Sequence, residues 1–144
     1  MSAELAQHRD YLEGEWRAAQ AAPLSLRRAM LVAMLIDAYV DRQFAAAPEA
    51  EDILAYRAAR AAAQPAIGTV LALCGQGDGP RLVIEAVTVP VEDYGKLSVE
   101  DFMVSLYNGH SVQRVMIAWP DGRRALAHDV LGAAMAALED QTDA

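Results

Sequence analysis

The chain has 144 residues, of which 54% are hydrophobic and 22% are charged, and its formal net charge is -8. This length and composition predict a folded chain with a hydrophobic core of its own, because disordered chains have too few apolar residues to form one. The acidic balance excludes the basic surface of a typical nucleic-acid-binding protein, so neither DNA nor RNA is expected as a partner.

Three features of the sequence favour a cytoplasmic protein. The longest strongly apolar run, residues 29–36, is far shorter than the roughly 18 to 20 residues of a bilayer span, so no membrane partner is expected. The amino terminus lacks the basic start and apolar stretch of a secretory signal. Cys74 is the single cysteine, which excludes an intrachain disulfide and a thiolate metal cage.

The first 64 residues predict a helical half made of three helices. Residues 3–20 carry one narrow apolar stripe and predict a solvated helix. Residues 26–47 follow a cap at Ser25 and are apolar on more than one face, which is typical of a central helix packed on several sides. Residues 49–64 predict a third, alanine-rich helix after Pro48.

Residues 66–139 predict the β-containing half. The segments 66–74 and 81–91 are rich in β-branched residues and flank a glycine-rich turn, which is typical of an antiparallel hairpin. Residues 112–119 predict a third strand, followed by a turn at residues 120–122 and a closing helix over residues 124–139. The tail, residues 140–144, is expected to fray.

Residues 98–110 admit two structures. As a strand, they would enter a hairpin turn at Asn108 and Gly109. As a helix, they would begin at Ser98, end at Gly109 and carry on one face Val99, Phe102, Met103, Leu106 and Tyr107. The apolar spacing favours the helix, which would then link parallel strands by a right-handed crossover.

The sequence therefore predicts one α+β domain over residues 1–144. Three N-terminal helices are followed by a small three-stranded mixed sheet, built as a hairpin, a helix and a strand, and by a C-terminal helix. Gly75, Gly77 and Gly79 have the spacing of a phosphate-binding loop, but Pro80 and a β-rich segment follow where that motif requires a helix. We interpret residues 75–80 as the hairpin loop, and no cofactor is expected.

Asp37 and Asp41 lie one helical turn apart in the most apolar predicted helix. Two carboxylates in this arrangement are candidates for a metal site or for acid/base chemistry. The alternative is an ion pair with arginines of the third helix such as Arg57 or Arg60, since a charge removed from water needs a partner. The chain has no Glu-x-x-His companion motif, so the ion pair is the favoured interpretation and no metal site is predicted.

Two further groups of polar residues are weaker candidates. The first is a catalytic set, which could form if the closing helix returns over the third strand; it comprises His110, His128, Asp129, Tyr94 and Tyr107. The second is a surface for a protein partner in the most polar loop; it comprises Glu92, Asp93, Lys96, Glu100 and Asp101.

The lack of a coherent catalytic set favours a small, acidic, non-enzymatic interaction or regulatory protein, with a protein partner or a second copy of itself as a homodimer. The alternative is a small enzyme or ligand-binding domain with a pocket between the sheet and the C-terminal helix, using His110, His128 and Asp129. A third hypothesis, an acidic protein that occupies a nucleic-acid-binding surface, explains the charge alone.

Overall fold

The computed structural model describes residues 2–47, 49 and 52–140, with the exception of the side chains of Val91 and Asp140. These residues form six α-helices, three β-strands and a short 3-10 helix. The elements are α1 (Ala3–Ala21), α2 (Leu26–Ala45), α3 (Ile53–Ala63), α4 (Pro65–Cys74), β1 (Arg81–Thr88), the 3-10 helix (Val91–Lys96), α5 (Val99–Tyr107), β2 (Ser111–Ala118), β3 (Arg124–Leu126) and α6 (Ala127–Asp140). The predicted α+β class is confirmed. Of the predicted tail, residues 141–144 lie outside the described residues, as does Pro48.

Polar side chains determine where several helices begin. Ser25 and Ser98 each accept a hydrogen bond at 3.1 Å from the backbone N–H three residues later, and Asp52 accepts one at 3.0 Å. A cap of this kind stabilises a helix by about 1 kcal/mol. Helix α3 therefore begins at Ile53 and not at residue 49. Residues 98–110 adopt the helical alternative, as the apolar spacing predicted.

Residues 66–74 form helix α4, so the strand predicted there is wrong. Pro65 occupies the first turn of this helix. Backbone N–H groups there have no partner within the helix, so a proline costs no hydrogen bond. Ile67, Val70 and Leu73 recur at helical spacing and are buried. A short apolar run fits a strand or a buried helix equally well. Here the contacts of α4 with α2, α3 and α6 favour the helix.

The sheet is antiparallel throughout and has the strand order β1-β2-β3. Strand β1 pairs with β2 along its whole length, from Arg81 opposite Ala118 to Thr88 opposite Ser111. The predicted hairpin between residues 66–74 and 81–91 is therefore wrong. Helix α5 connects two antiparallel strands, so the predicted mixed sheet with a parallel crossover is wrong as well.

Two predicted turns have different outcomes. Residues 75–80 connect helix α4 to strand β1, so they are not the hairpin loop that the sequence suggested. The predicted turn at residues 120–122 does join β2 to β3. There, the Trp119 N–H donates to the Arg123 carbonyl at 3.0 Å, and Gly122 adopts a φ of 96°, which glycine tolerates without strain. Strand β3 takes the first residues of the predicted closing helix.

Helix α2 lies at the centre of the core, as predicted. Val32, Ile36 and Val40 are completely buried, and Tyr39 is 2% exposed. The helix contacts α1, α3, α4, α6 and β1. Full burial of one such aliphatic side chain stabilises the fold by about 1.5 to 3 kcal/mol.

Gly68 tests the packing of α4 against α3, and Gly14 in α1 is the control at an uncrowded position. A Cβ at Gly68 would lie 3.1 Å from the Ala61 carbonyl oxygen, whereas a Cβ at Gly14 in α1 would meet nothing within 4 Å. We expect Gly68→Val to lower the free energy of unfolding by about 1 to 3 kcal/mol through overpacking. Gly14→Ala should raise it by about 0.5 to 1 kcal/mol, because alanine favours the helix. Urea denaturation measures both, and an undiminished stability of Gly68→Val would contradict the close approach of the helices.

Candidate functional site

Asp37 and Asp41 are both bound by the guanidinium group of Arg57. Arg57 Nη2 lies 2.5 Å from Asp37 Oδ1, and Arg57 Nη1 lies 2.7 Å from Asp41 Oδ1. Two charge-assisted hydrogen bonds from one guanidinium group fix the geometry as well as the charge. The expected ion pair of these carboxylates is therefore present, and it joins α2 to α3.

The ion pair also influences its neighbours. Partial burial opposes ionisation of Arg57, but the hydrogen bonds to Asp37 and Asp41 outweigh it and raise the pKa of Arg57 above its usual value. Burial, reinforced by nearby Asp37, raises the pKa of the Cys74 thiol to about 11. Cys74 is therefore protonated at neutral pH and a poor nucleophile, consistent with its interpretation as a small hydrophobic residue.

Asp41 also borders an open cleft of about 510 Å³, together with Glu4 and Arg42. Arg42 forms an ion pair with Glu4, and Asp41 is held by Arg57, so these charges already have partners. Within the described part of the chain, no group of three or more His, Cys, Asp or Glu side chains is arranged to hold a metal ion.

Arg60, the other arginine considered for the two aspartates, has neutral partners instead. It is 4% exposed and donates to Gln43 Oε1 at 2.7 Å, Tyr56 Oη at 3.2 Å and Gln64 Oε1 at 3.3 Å. Of the two arginines considered, Arg57 is therefore the partner of the aspartates. The sequence signal for the contacts with Tyr56 and Gln64 was their spacing, since each lies four residues from Arg60 along one helical face.

His110 and Tyr94 contact each other where α5 ends. The Tyr94 hydroxyl and His110 Nδ1 share a hydrogen bond, and the ring centroids lie 5.5 Å apart. His110 has a φ of 64°, and its carbonyl accepts a hydrogen bond from the Val89 N–H at 2.7 Å. These contacts explain His110 as the residue that turns the chain into β2. Tyr107 is 83% exposed and lies on the outer surface of α5.

His128 and Asp129, at the start of α6, line a cleft of about 180 Å³ between the sheet and this helix. Arg114 of β2 lines the same cleft, which occupies the position where the sequence suggested a pocket. His110 is not among its lining residues; it precedes the first residue of β2 and lies four residues before Arg114 in the chain. The structure therefore divides the candidate catalytic set: His128 and Asp129, which are neighbours in sequence, line this cleft, Tyr94 and His110 contact each other at the end of α5, and Tyr107 is exposed.

The surroundings of His128 favour the neutral form of its imidazole. Burial lowers the pKa of His128 below its usual 6.5, nearby Arg114 lowers it further, and Asp129 opposes them. The His128 ring packs against Trp16 with centroids 5.7 Å apart, and Nε2 is buried without a hydrogen-bond partner among the described residues. A neutral imidazole beside a guanidinium group can accept a proton or a hydrogen bond.

A cleft of about 440 Å³ adjoins the 180 Å³ cleft at the start of α6. Pro23, Asp101 and Arg114 line both of them. Arg114 Nη2 lies 3.1 Å from Asp101 Oδ2, so an ion pair forms part of the shared wall. The sequence analysis did not select Arg114. The sequence feature that could have identified Arg114 is its position directly before the apolar residues 115–118 of β2.

The predicted partner-binding residues lie in the 3-10 helix and in the first turn of α5, and three of them form ion pairs within the chain. Lys96 Nζ lies 3.3 Å from Asp93 Oδ1, and Asp101 is paired with Arg114. Glu92 and Glu100 are exposed to solvent.

Helix α5 presents its polar side to the protein and its apolar side to solvent. Ser105 is completely buried, and Asp101 binds Arg114 of β2. Six large apolar side chains are between 37% and 83% exposed: Val99, Phe102, Met103, Val104, Leu106 and Tyr107. The sequence predicted five of them on one helical face, but this face does not enter the core.

The exposed face of α5 is formed by Val99, Met103, Leu106 and Tyr107, whose side chains project on one side of the helix, whereas Phe102 and Val104 project to either side of it. Together these four residues expose roughly 500 Å², within the range of about 300 to 600 Å² that the largest apolar patch of a typical monomer covers. Such a patch is often functional.

Comparisons of the chain with protein-family models, with curated proteins and with solved structures found no match. In residues 2–47, 49 and 52–140, no helix combines the length and the hydropathy needed to cross a bilayer. The function must therefore be inferred from the geometry of the chain itself.

We expect Arg57→Met to lower the free energy of unfolding by about 1 kcal/mol. The effect is modest because the three side chains are 24% to 43% exposed and solvent screens their charges. Changing Asp37 and Asp41 to asparagine in the same chain should restore part of the loss, since the unpaired carboxylates repel each other. Thermal unfolding of the separate and combined variants measures this coupling, and strictly additive effects would contradict a shared ion pair.

We expect His128 to titrate below 6.5, Arg114→Gln to raise its pKa and Asp129→Asn to lower it further. As the pH falls below about 6.5, the unfolded chain binds a proton before the folded chain does. The free energy of unfolding should therefore decrease with falling pH in this range, and His128→Gln should remove that part of the dependence. NMR titration of the imidazole carbons measures the pKa, and a value above 6.5 would contradict the burial of the ring.

Proposed function

We propose that this chain is a small, acidic, cytoplasmic interaction or regulatory protein that acts through protein–protein contacts and not as an enzyme. The observation that carries the proposal is the exposed apolar face of α5. The cytoplasmic location rests on the single, partly buried Cys74, which has no second cysteine with which to form a disulfide within the chain.

The arrangement of α5 suits a protein partner. Its outward positions Val99, Met103 and Leu106 follow the i, i+4, i+7 spacing by which one helix packs against another. Aromatic residues and methionine are enriched at the centres of protein interfaces, and Phe102 and Tyr107 flank this stripe. Glu100 lies at the edge, where an exposed charge contributes to specificity more than to affinity.

Photo-crosslinking in the host cell tests this proposal. A photoreactive amino acid at Met103, which is 50% exposed, should yield a discrete covalent adduct with a protein, identified by mass spectrometry. The same group at Leu54 of α3, which is 72% exposed, serves as a matched control and should yield no comparable adduct. Lack of a protein adduct from position 103 would contradict the proposal.

A ligand-binding or catalytic domain is the second candidate, favoured by the cleft that joins Arg114, His128 and Asp129. The cleft holds about 180 Å³, below the roughly 300 to 1,000 Å³ of common small-molecule sites, although the adjoining cleft extends it. Native mass spectrometry of the protein from its own host discriminates between the candidates. A small molecule that is retained by the native chain and lost in Arg114→Gln would favour the second.

A further inference from the structure

We infer that the outer edge of strand β1 is the interface of a twofold-symmetric homodimer, in which the β1 strands of two copies pair antiparallel and join the two sheets into one. This contact uses the backbone and charges of β1 and not the exposed face of α5. It therefore goes beyond the proposed function and can fail or succeed independently of it.

Strand β1 lies at the edge of the sheet, and its free hydrogen-bonding groups can be located from the register. The Val89 N–H donates to the His110 carbonyl at 2.7 Å, and these residues continue the register of β1 with β2. Because such bonds alternate along an antiparallel pair, the odd-numbered residues of β1 bond to β2. Leu82, Ile84 and Ala86 therefore direct their N–H and C=O groups away from β2. Among the described residues, no backbone carbonyl accepts a hydrogen bond from these three N–H groups.

This edge favours the addition of another strand. Strand β1 has eight residues and contains no proline, so nothing in its backbone prevents pairing along its length. A row of unpaired N–H and C=O groups is a template for an extended chain. The side chain of Ile84 is 43% exposed, and a neighbouring strand would cover it.

The charges of β1 select a second copy of the same strand. Arg81 and Glu85 are the charged residues of β1 and lie four positions apart on one face of the strand. A twofold axis beside Val83, midway between them, places Arg81 of each copy directly opposite Glu85 of the other. Opposite charges in this position stabilise a strand pair, and like charges destabilise it. A register with the axis at Glu85 would instead bring this carboxylate against its own copy.

The two charged side chains are available for this contact. Arg81 is exposed, and its guanidinium group has no ion-pair partner among the described residues. Arg124 binds Glu85 through Oε1 at 2.8 Å, and the Glu85 side chain is 39% exposed. Arg81 of the second copy would bind the other oxygen, Oε2, so that each Glu85 carboxylate lies between two guanidinium groups.

The same register also pairs the backbone and the apolar side chains. Leu82 of each copy lies opposite Ile84 of the other, and each of these pairs exchanges two hydrogen bonds. The Ala86 N–H faces the carbonyl of Pro80, a residue that has no N–H of its own to satisfy. The contact thus makes about six backbone hydrogen bonds, with Val83 packed against its own copy at the axis. Such isologous contacts are the commonest kind in homo-oligomers.

Exchange of the two charges tests the dimer and its register. The purified full-length chain, at high micromolar concentration, should have twice the 15.5 kDa of one chain by sedimentation equilibrium. Arg81→Glu and Glu85→Arg each place like charges opposite each other on both sides of the axis, so each should raise the dimer dissociation constant about 10-fold. The two changes combined in one chain restore opposite charges and should bring the constant back to within about threefold of the wild type.

A matched control and a second measurement separate the contact from effects within one chain. Arg124→Gln removes the ion pair that Glu85 makes within its own chain, as Glu85→Arg does, but should leave the dissociation constant within about threefold of the wild type. Circular dichroism should show that all the variants fold. In the wild-type dimer, the amides of Leu82 and Ile84 should be protected from hydrogen exchange, and dilution to the monomer should remove this protection.

Each remaining outcome is decisive. A wild-type chain that stays monomeric at high micromolar concentration overturns the dimer. A dimer that both single charge changes leave intact, that the combined change does not restore, or in which the two amides exchange rapidly overturns this interface. If the chain is monomeric while position 103 crosslinks to a different protein in the cell, the dimer is wrong and the proposed function stands. If the dimer passes these tests and position 103 crosslinks to no protein, the interface at β1 stands and the proposed role of α5 is wrong.

Discussion

The structure depends on the packing of α2 against five other elements, which leaves only the side that carries Leu31 and Met34 partly exposed. A helix that is apolar over several faces cannot be covered by one neighbour, so α1, α3, α4, α6 and β1 all pack against it. The complete burial of Val32, Ile36 and Val40 provides much of the apolar area that offsets the conformational entropy lost on folding. Asp37 and Asp41 lie on this same helix. Their carboxylates are partly removed from water and therefore need a cation nearby. Arg57 supplies it, so the chemistry of the two aspartates is a consequence of how α3 packs.

The need to cover the apolar faces of α2 also explains why residues 66–74 are helical. Their composition suits a strand, but a strand would bury alternate residues, whereas Ile67, Val70 and Leu73 all enter the core at helical spacing. Gly68 lets α4 approach α3 closely, with its α-carbon near Ala61. Because this segment is a helix, no strand precedes β1 that could form a hairpin with it. Strand β1 therefore pairs with β2, which follows after a long connection that contains α5.

Local signals predicted local structure and failed where distant segments compete. The caps at Ser25 and Ser98, the central helix and the turn at residues 120–122 could all be predicted, because each depends on residues close in sequence. The pairing of β1 with β2 could not, since no nearby turn specifies it. At the candidate site, charge balance alone indicated an arginine partner for the two aspartates. It could not distinguish Arg57 from Arg60, because the difference lies in which side of α3 faces the amide of Gln43.

The exposed apolar face of α5 follows from contacts that fix the rotation of this helix about its axis. Asp101 is tied to Arg114 of β2 at 3.1 Å, and the carbonyl of Ser105 accepts a hydrogen bond from the His110 N–H at 2.9 Å. Turning Met103 and its neighbours inward would break the first contact and leave Arg114 beside apolar side chains, where an unpaired charge is costly. The chain thus keeps an ion pair under α5 and leaves the apolar side in water. Water is a poor environment for that side, and a second apolar surface is the environment that would remove the cost.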